Sequence, residues 1–138
     1  MAFPSSTTSD NQQPALNGNG LIEDLGEEWI RIMYHEYSEK VGETYKSSAT
    51  EISITGFCDA SNNLKLNLGA IAKPNRNQAI RYVRENIREG VKFYNRNGDV
   101  FIDCLSNFPI FVQAPLYAHA MGQHLATVYR VTPENLII

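Results

Sequence analysis

The sequence predicts a mainly β protein, an antiparallel β-sandwich carrying one long helix. Three observations carry that prediction. Short apolar runs alternate with polar residues at a period of two, turn residues recur every eight to twelve positions, and only one segment has clear helical spacing. At 138 residues the chain suits a single domain.

The first 28 residues read as a disordered lead-in. Up to about residue 20 they are mostly Ser, Thr, Asn, Gln, Gly and Pro, too polar to bury enough surface to offset ordering entropy. Gly18-Asn19-Gly20 reads as a flexible joint rather than a phosphate loop, since no strand precedes it and no helix start follows. Folded structure is expected over residues 29–138. Trp29, Ile30, Ile32, Met33, Tyr34 and Tyr37 form an apolar, aromatic run that suits a strand partly covered on both faces. Residues 41–45 read as a turn leading into another strand. Ile52 and Ile54 alternate with Ser53 and Thr55, and Leu64, Leu66 and Leu68 repeat the pattern after a Gly-, Asp- and Asn-rich loop over 56–63.

The helix is expected over residues 76–89, with Ala79, Ile80, Val83 and Ile87 as its buried stripe. Arg81, Arg84, Glu85, Arg88 and Glu89 form its solvated face, and Gly90 offers a left-handed C-terminal cap. Residues 91–94 and 100–105 flank Asn97-Gly98, a strong hairpin signal. Val100, Ile102 and Cys104 share one face there, with Phe101 and Asp103 on the other. Residues 108–112 form an edge strand or bulge around Pro109, residues 114–123 a loop or short turn, and residues 129–131 and 136–138 the late strands. The expected core combines Trp29, Ile54, Leu66, Ile80, Val83, Ile87, Ile102 and Phe111.

Composition narrows the function classes. Charged residues make up 20% and the net charge is −3, so the bulk chemistry supplies no basic footprint for nucleic acid. No apolar run approaches the roughly 20 residues needed to span a bilayer. Cys58 and Cys104 read as reduced core thiols. His119 and His124 stand five apart without a carboxylate or Cys at ligand spacing, and His35 and Glu36 point to opposite faces of their strand. Neither a catalytic constellation, a metal site nor a cofactor motif is expected, which favours a binding role over an enzyme.

Several blocks then carry a family resemblance. Tyr34-His35-Glu36, residues 41–45, residues 56–61, Leu66-Asn67-Leu68-Gly69, Asn75-Arg76, Ala79-Ile80, residues 87–91 and residues 98–106 resemble the C-terminal MAD-homology domain of Smad transcription factors. Residues 110–113 and 128–131 extend it, and the blocks run in family order over residues 29–138. Ala79-Ile80 and Gly98-Asp99-Val100 lean towards the common-mediator subgroup. The resemblance implies a protein of cytoplasm and nucleus that assembles into trimers with other Smads in transforming-growth-factor-beta-type signalling. Transcription cofactors are further partners, with no direct DNA contact from this segment and no membrane partner. It implies a subunit interface at Thr55, Asp59, Lys65, Lys73, Pro74 and Arg76, and a phosphoserine pocket at Arg130 with His119. Thr55 stands where the family usually has Asp, and Lys65 where it has Arg. Against the family pattern the chain stops before the usual helical bundle and last strands. Two other readings stay open: a divergent or truncated remnant acting as a modulator or without function, and an enzyme on a β-sandwich.

Overall fold

Alternation along each strand decides what this fold buries. A computed structural model describes residues 15–16, 23–133 and 136–137. Most of the expected disordered stretch lies outside those residues. Of what is described there, β1 (Ala15–Leu16) pairs antiparallel with β2 (Glu23–Asp24). Asp24 is bonded to the body: its carboxylate accepts from Ser48 Oγ and Asn63 Nδ2.

Next come β3 (Ile30–Ile32), β4 (His35–Glu36), β5 (Glu39–Lys40) and β6 (Tyr45–Ser47). Together β3 and β6 form one two-stranded ribbon, and β4 and β5 another. Ile30, Ile32, Tyr34 and Glu36 are all buried, so one inward row runs through the first aromatic segment. The chain reverses at Tyr37–Ser38, both at positive φ (54° and 69°). That hairpin turn lacks the Gly or Asn that usually marks one, which is why the sequence reads straight through it.

The largest sheet has five strands. Its order is β13 (Leu136–Ile137), β10 (Asp99–Cys104), β9 (Val91–Arg96), β7 (Glu51–Thr55) and β8 (Lys65–Asn67). Its ladders are antiparallel except β7 with β8, which run parallel across the loop over 56–64. Register aligns Ile52 with Phe93 and Phe93 with Ile102, then Ile54 with Val91 and Val91 with Cys104. These rungs face inward and meet Trp29, Ile30, Ile32, Val112 and Val131 in one hydrophobic cluster, completing the β-sandwich. Each fully buried Ile or Phe contributes about 1.5–3 kcal/mol over an exposed one. The Asn97–Gly98 turn between β9 and β10 has the expected left-handed pair of φ values, 54° and 89°.

Several expectations are corrected. The helix, α1, is Gln78–Glu85, shorter than 76–89 at both ends; it starts at Gln78 because Asn77 caps it, the Asn77 side chain accepting from the Ile80 N–H at 2.8 Å. Gly90 does take the left-handed conformation, and a Cβ there would lie 1.9 Å from the Ile54 carbonyl oxygen. Val83 is exposed, Ile80 and Ile87 are half-buried, and Arg84 turns inward instead. Leu68 is buried, but in a 3-10 turn (Leu68–Ala70) rather than the strand. After β11 (Ile110–Gln113), the expected loop contains a short helix, α2 (Pro115–Ala120), with Pro115 in its first turn. It leads to β12 (Val128–Val131), which pairs with β11. Phe111 sits opposite Arg130 on the outer side of that ribbon and is exposed, while Ile110 and Val112 face the core. Cys104 is buried, but Cys58 is exposed on its loop.

Candidate interaction surface

The loops at one end of the sandwich are held by two polar networks. The first orders residues 56–64. Asn62 Oδ1 accepts from the Leu64 and Lys65 N–H groups, and Ser61 Oγ accepts from the Asn67 N–H. Asn67 Nδ2 donates to the Ala60 carbonyl. Tyr45 donates its hydroxyl to the Asn62 carbonyl at 2.7 Å, and Ser47 Oγ donates to the Asn63 carbonyl. Burial pushes the Tyr45 phenol up to about 12, so it stays a donor across the physiological range. Gly69 is required where this loop meets the 3-10 turn, since a Cβ would lie 2.4 Å from the Gly56 carbonyl oxygen.

The second network is charged. Glu36, with its side chain only 3% exposed, accepts from Tyr34 Oη at 2.7 Å. Arg76 Nε lies 3.1 Å from both Glu36 oxygens, and Arg84 Nη1 lies 3.4 Å from one. Lys73 Nζ stands 3.9 Å from Glu36 and 3.1 Å from Glu39. The two guanidinium groups also hold the backbone. Arg84 Nη2 donates to the Leu68 and Ile71 carbonyls, and Arg76 Nη2 to that of Ile71. Arg84 additionally lies over the Tyr34 ring, 5.9 Å from its centroid.

Burial alone would raise the Glu36 carboxyl. Hydrogen bonds from Arg76 and Tyr34, with the charges of Arg76 and Arg84, outweigh it and hold the group below its ordinary value. The Tyr34 phenol moves up, chiefly through burial and then through its bond to Glu36. One carboxylate thus fastens β4, the 3-10 turn, the loop over 71–77 and α1 to one another.

The expected interface residues fall around these networks. Asp59, Lys65 and Pro74 are exposed, and Lys73 is half-buried beside Glu39. Arg76 is close by, but its Nε and Nη2 already have intramolecular partners and its side chain is 10% exposed. Thr55 is inside: only 4% exposed, it donates to Asn67 Oδ1 at 2.5 Å and accepts from the Phe57 N–H. Its hydroxyl shapes the loop instead of facing outward. Arg130 and His119 are both exposed, on β12 and in the last turn of α2. They share neither a hydrogen bond nor an ion pair among the described residues. Tyr129, the neighbour of Arg130, packs edge-on to Tyr117 of α2 at 5.2 Å, so alternation turns Arg130 away from that contact.

Sequence reasoning missed Glu36, Tyr34 and Arg84 as one unit. Two signals were present. Glu36 continues the row of Ile30, Ile32 and Tyr34 at a period of two. Ile80 and Arg84 on α1, with Ile87 just after it, also fall at helical spacing, which competes with the more apolar stripe through Val83.

Among the described residues no three His, Cys, Asp or Glu side chains come together as a metal site would need. No helix among them is long and apolar enough to cross a membrane. The family model of the MH2 domain matches residues 27–138, a span that takes in both polar networks and every strand from β3 onward.

Proposed function

From the premise that the chain belongs to the MH2 domain family, we propose that it assembles with other Smads through its loop-and-helix end, as an interaction module of transforming-growth-factor-beta-type signalling. MH2 domains are protein-interaction domains of Smad-type proteins and not an enzyme family. The finer reading draws on the arrangement of the candidate surface. Asp59, Lys73 and Pro74 ride on loops, and Lys65 on the first position of β8, all fastened by the Glu36 cluster and the Asn62–Asn67 network. Loops ordered in advance lose less conformational entropy on docking, so more of the contact energy reaches affinity. Exposed charges of both signs there would set orientation and encounter rate rather than bulk affinity.

That single observation, a charged loop surface anchored from below, carries the reading. Its chemistry also sets it apart from the usual family surface. Thr55 brings no charge where Asp is usual, and Lys65 offers a point charge in place of a guanidinium fork. The same reading places the protein in cytoplasm and nucleus and keeps the lean towards the common-mediator subgroup. It makes Arg130 a phosphate-facing cation, with His119 as its companion: a guanidinium supplies two aligned charge-assisted hydrogen bonds to a phosphoserine.

Sedimentation velocity of the full chain mixed with a common-mediator Smad C-terminal domain tests assembly. A mixed species is expected, and Asp59→Lys combined with Lys65→Glu should diminish it without unfolding the chain, because both side chains are exposed. No mixed species at concentrations of about 100 μM, or one indifferent to both substitutions, contradicts the proposal.

A further inference from the structure

A groove of about 530 Å³ opens beside the end of α1. Its walls are Gly56 and Phe57 after β7, Glu85 at the end of α1 with Asn86, Arg88 and Glu89 in the turn beyond it, and Leu105 to Asn107 after β10. The three walls are tied together by backbone hydrogen bonds. Gly56 N–H donates to the Arg88 carbonyl at 2.7 Å, and the Leu105 and Ser106 N–H groups both donate to the Gly90 carbonyl. Gly56 also has no room for a side chain, since a Cβ would lie 2.8 Å from the Ile87 Cβ. The groove is therefore preformed.

Its lining combines two chemistries. Phe57 and Leu105 both line the cleft and keep 44% and 45% of their surface exposed, so an apolar side chain has two partly open apolar walls to cover. Glu85, Arg88 and Glu89 are exposed on the helix side, and among the described residues none of the three has a salt-bridge partner. Two carboxylates against one guanidinium leave this wall one unit negative. An apolar slot beside unpaired, net negative charge is complementary to a large apolar side chain flanked by Lys or Arg.

We propose that this groove binds a basic-apolar peptide segment of a partner protein, whose apolar side chain inserts between Phe57 and Leu105 while its basic residues meet Glu85 and Glu89. The inference goes beyond Smad assembly and does not depend on it. Glu85, Glu89 and Leu105 are not among the expected subunit-interface residues, and the test needs no Smad partner.

The probe is a fluorescein-labelled peptide with a Leu-Phe centre and two lysines on each side, titrated by anisotropy against the full chain. A second peptide carries glutamates in place of the lysines. Wild type should bind the lysine peptide about tenfold or more tighter than the glutamate peptide. Glu85→Lys with Glu89→Lys should reverse that preference, and Leu105→Ser should weaken binding of the lysine peptide about tenfold. Glu27→Lys with Glu28→Lys, a charge reversal elsewhere, should leave the affinities unchanged. Amide shifts on wild type should move at Phe57, Leu105 and Ser106, which locates the site even where a variant fails to fold. No binding tighter than about 1 mM, equal affinity for both peptides, equal sensitivity to the control reversal, or shifts confined to another surface would overturn the proposal.

Discussion

The centre of the five-stranded sheet and the loop end beside α1 are built by different physics. At the centre, Ile52, Phe93 and Ile102 stack in register with essentially no exposure. Their stabilisation is non-directional and scales with apolar area. At the loop end one buried carboxylate gathers two guanidinium groups and a phenol from three segments. That stabilisation is directional: a paired buried charge gains little over an apolar residue, but removing one partner is costly. The difference teaches that the sheet supplies stability while the charge cluster fixes geometry, holding the loops that carry Lys73, Pro74 and Arg76.

The largest expected effect lies at the sheet's centre. Phe93→Ala should destabilise the chain by about 3–5 kcal/mol in urea unfolding, with little dependence on pH. A loss under about 1 kcal/mol would mean that the sheet does not carry the fold.

Acid should separate the two regions next. The Glu36 carboxyl is lower in the folded chain than in the unfolded chain, so it adds stability that is fully present above the unfolded value. That contribution is lost as pH falls below about 4.5 and through the lower folded pKa. Glu36→Gln should flatten this part of the stability profile, whereas Phe93→Ala should shift the profile down without changing its shape. An unaltered acid limb in Glu36→Gln would remove the cluster as a stabilising unit.

The smallest effects belong to side chains that periodicity expected inside and the fold leaves outside. Val83→Ala and Phe111→Ser should each change stability by no more than about 0.5 kcal/mol, because both side chains are more than half exposed. Costs near 2 kcal/mol would place them against a surface in solution.

The two regions also differed in how far the sequence revealed them. Ile52 with Ile54, and Val100 with Ile102 and Cys104, were legible because a half-buried strand writes its burial into every second residue. Asn97-Gly98 was legible because a tight hairpin needs positive φ at adjacent positions. Tyr37–Ser38 makes the same kind of turn from residues that carry no such signal. The cluster was harder to see. Arg84 lies 48 positions from Glu36 and Arg76 lies 40 away, and no local pattern records pairing over such separations. Hydrophobicity chose Val83 for the inner stripe of α1, whereas the buried carboxylate on β4 selects Arg84. In the candidate surface, Asp59, Lys65, Lys73 and Pro74 came from family resemblance and sit on or near the outside. Thr55 came from the same resemblance, but its hydroxyl bonds inward to Asn67, a contact that an aligned position cannot disclose.

The claim that the loop end is fixed by a charge cluster is tested most directly by a double-mutant cycle on Glu36 and Arg84. Glu36→Gln, Arg84→Gln and the double variant would be compared with wild type by urea unfolding at neutral pH. Each single substitution strands a buried group, so the double variant should lose less than the sum of the singles, with a coupling of about 1–3 kcal/mol. Additivity within about 0.3–0.5 kcal/mol would contradict the account, leaving Glu36 and Arg84 as independent neighbours.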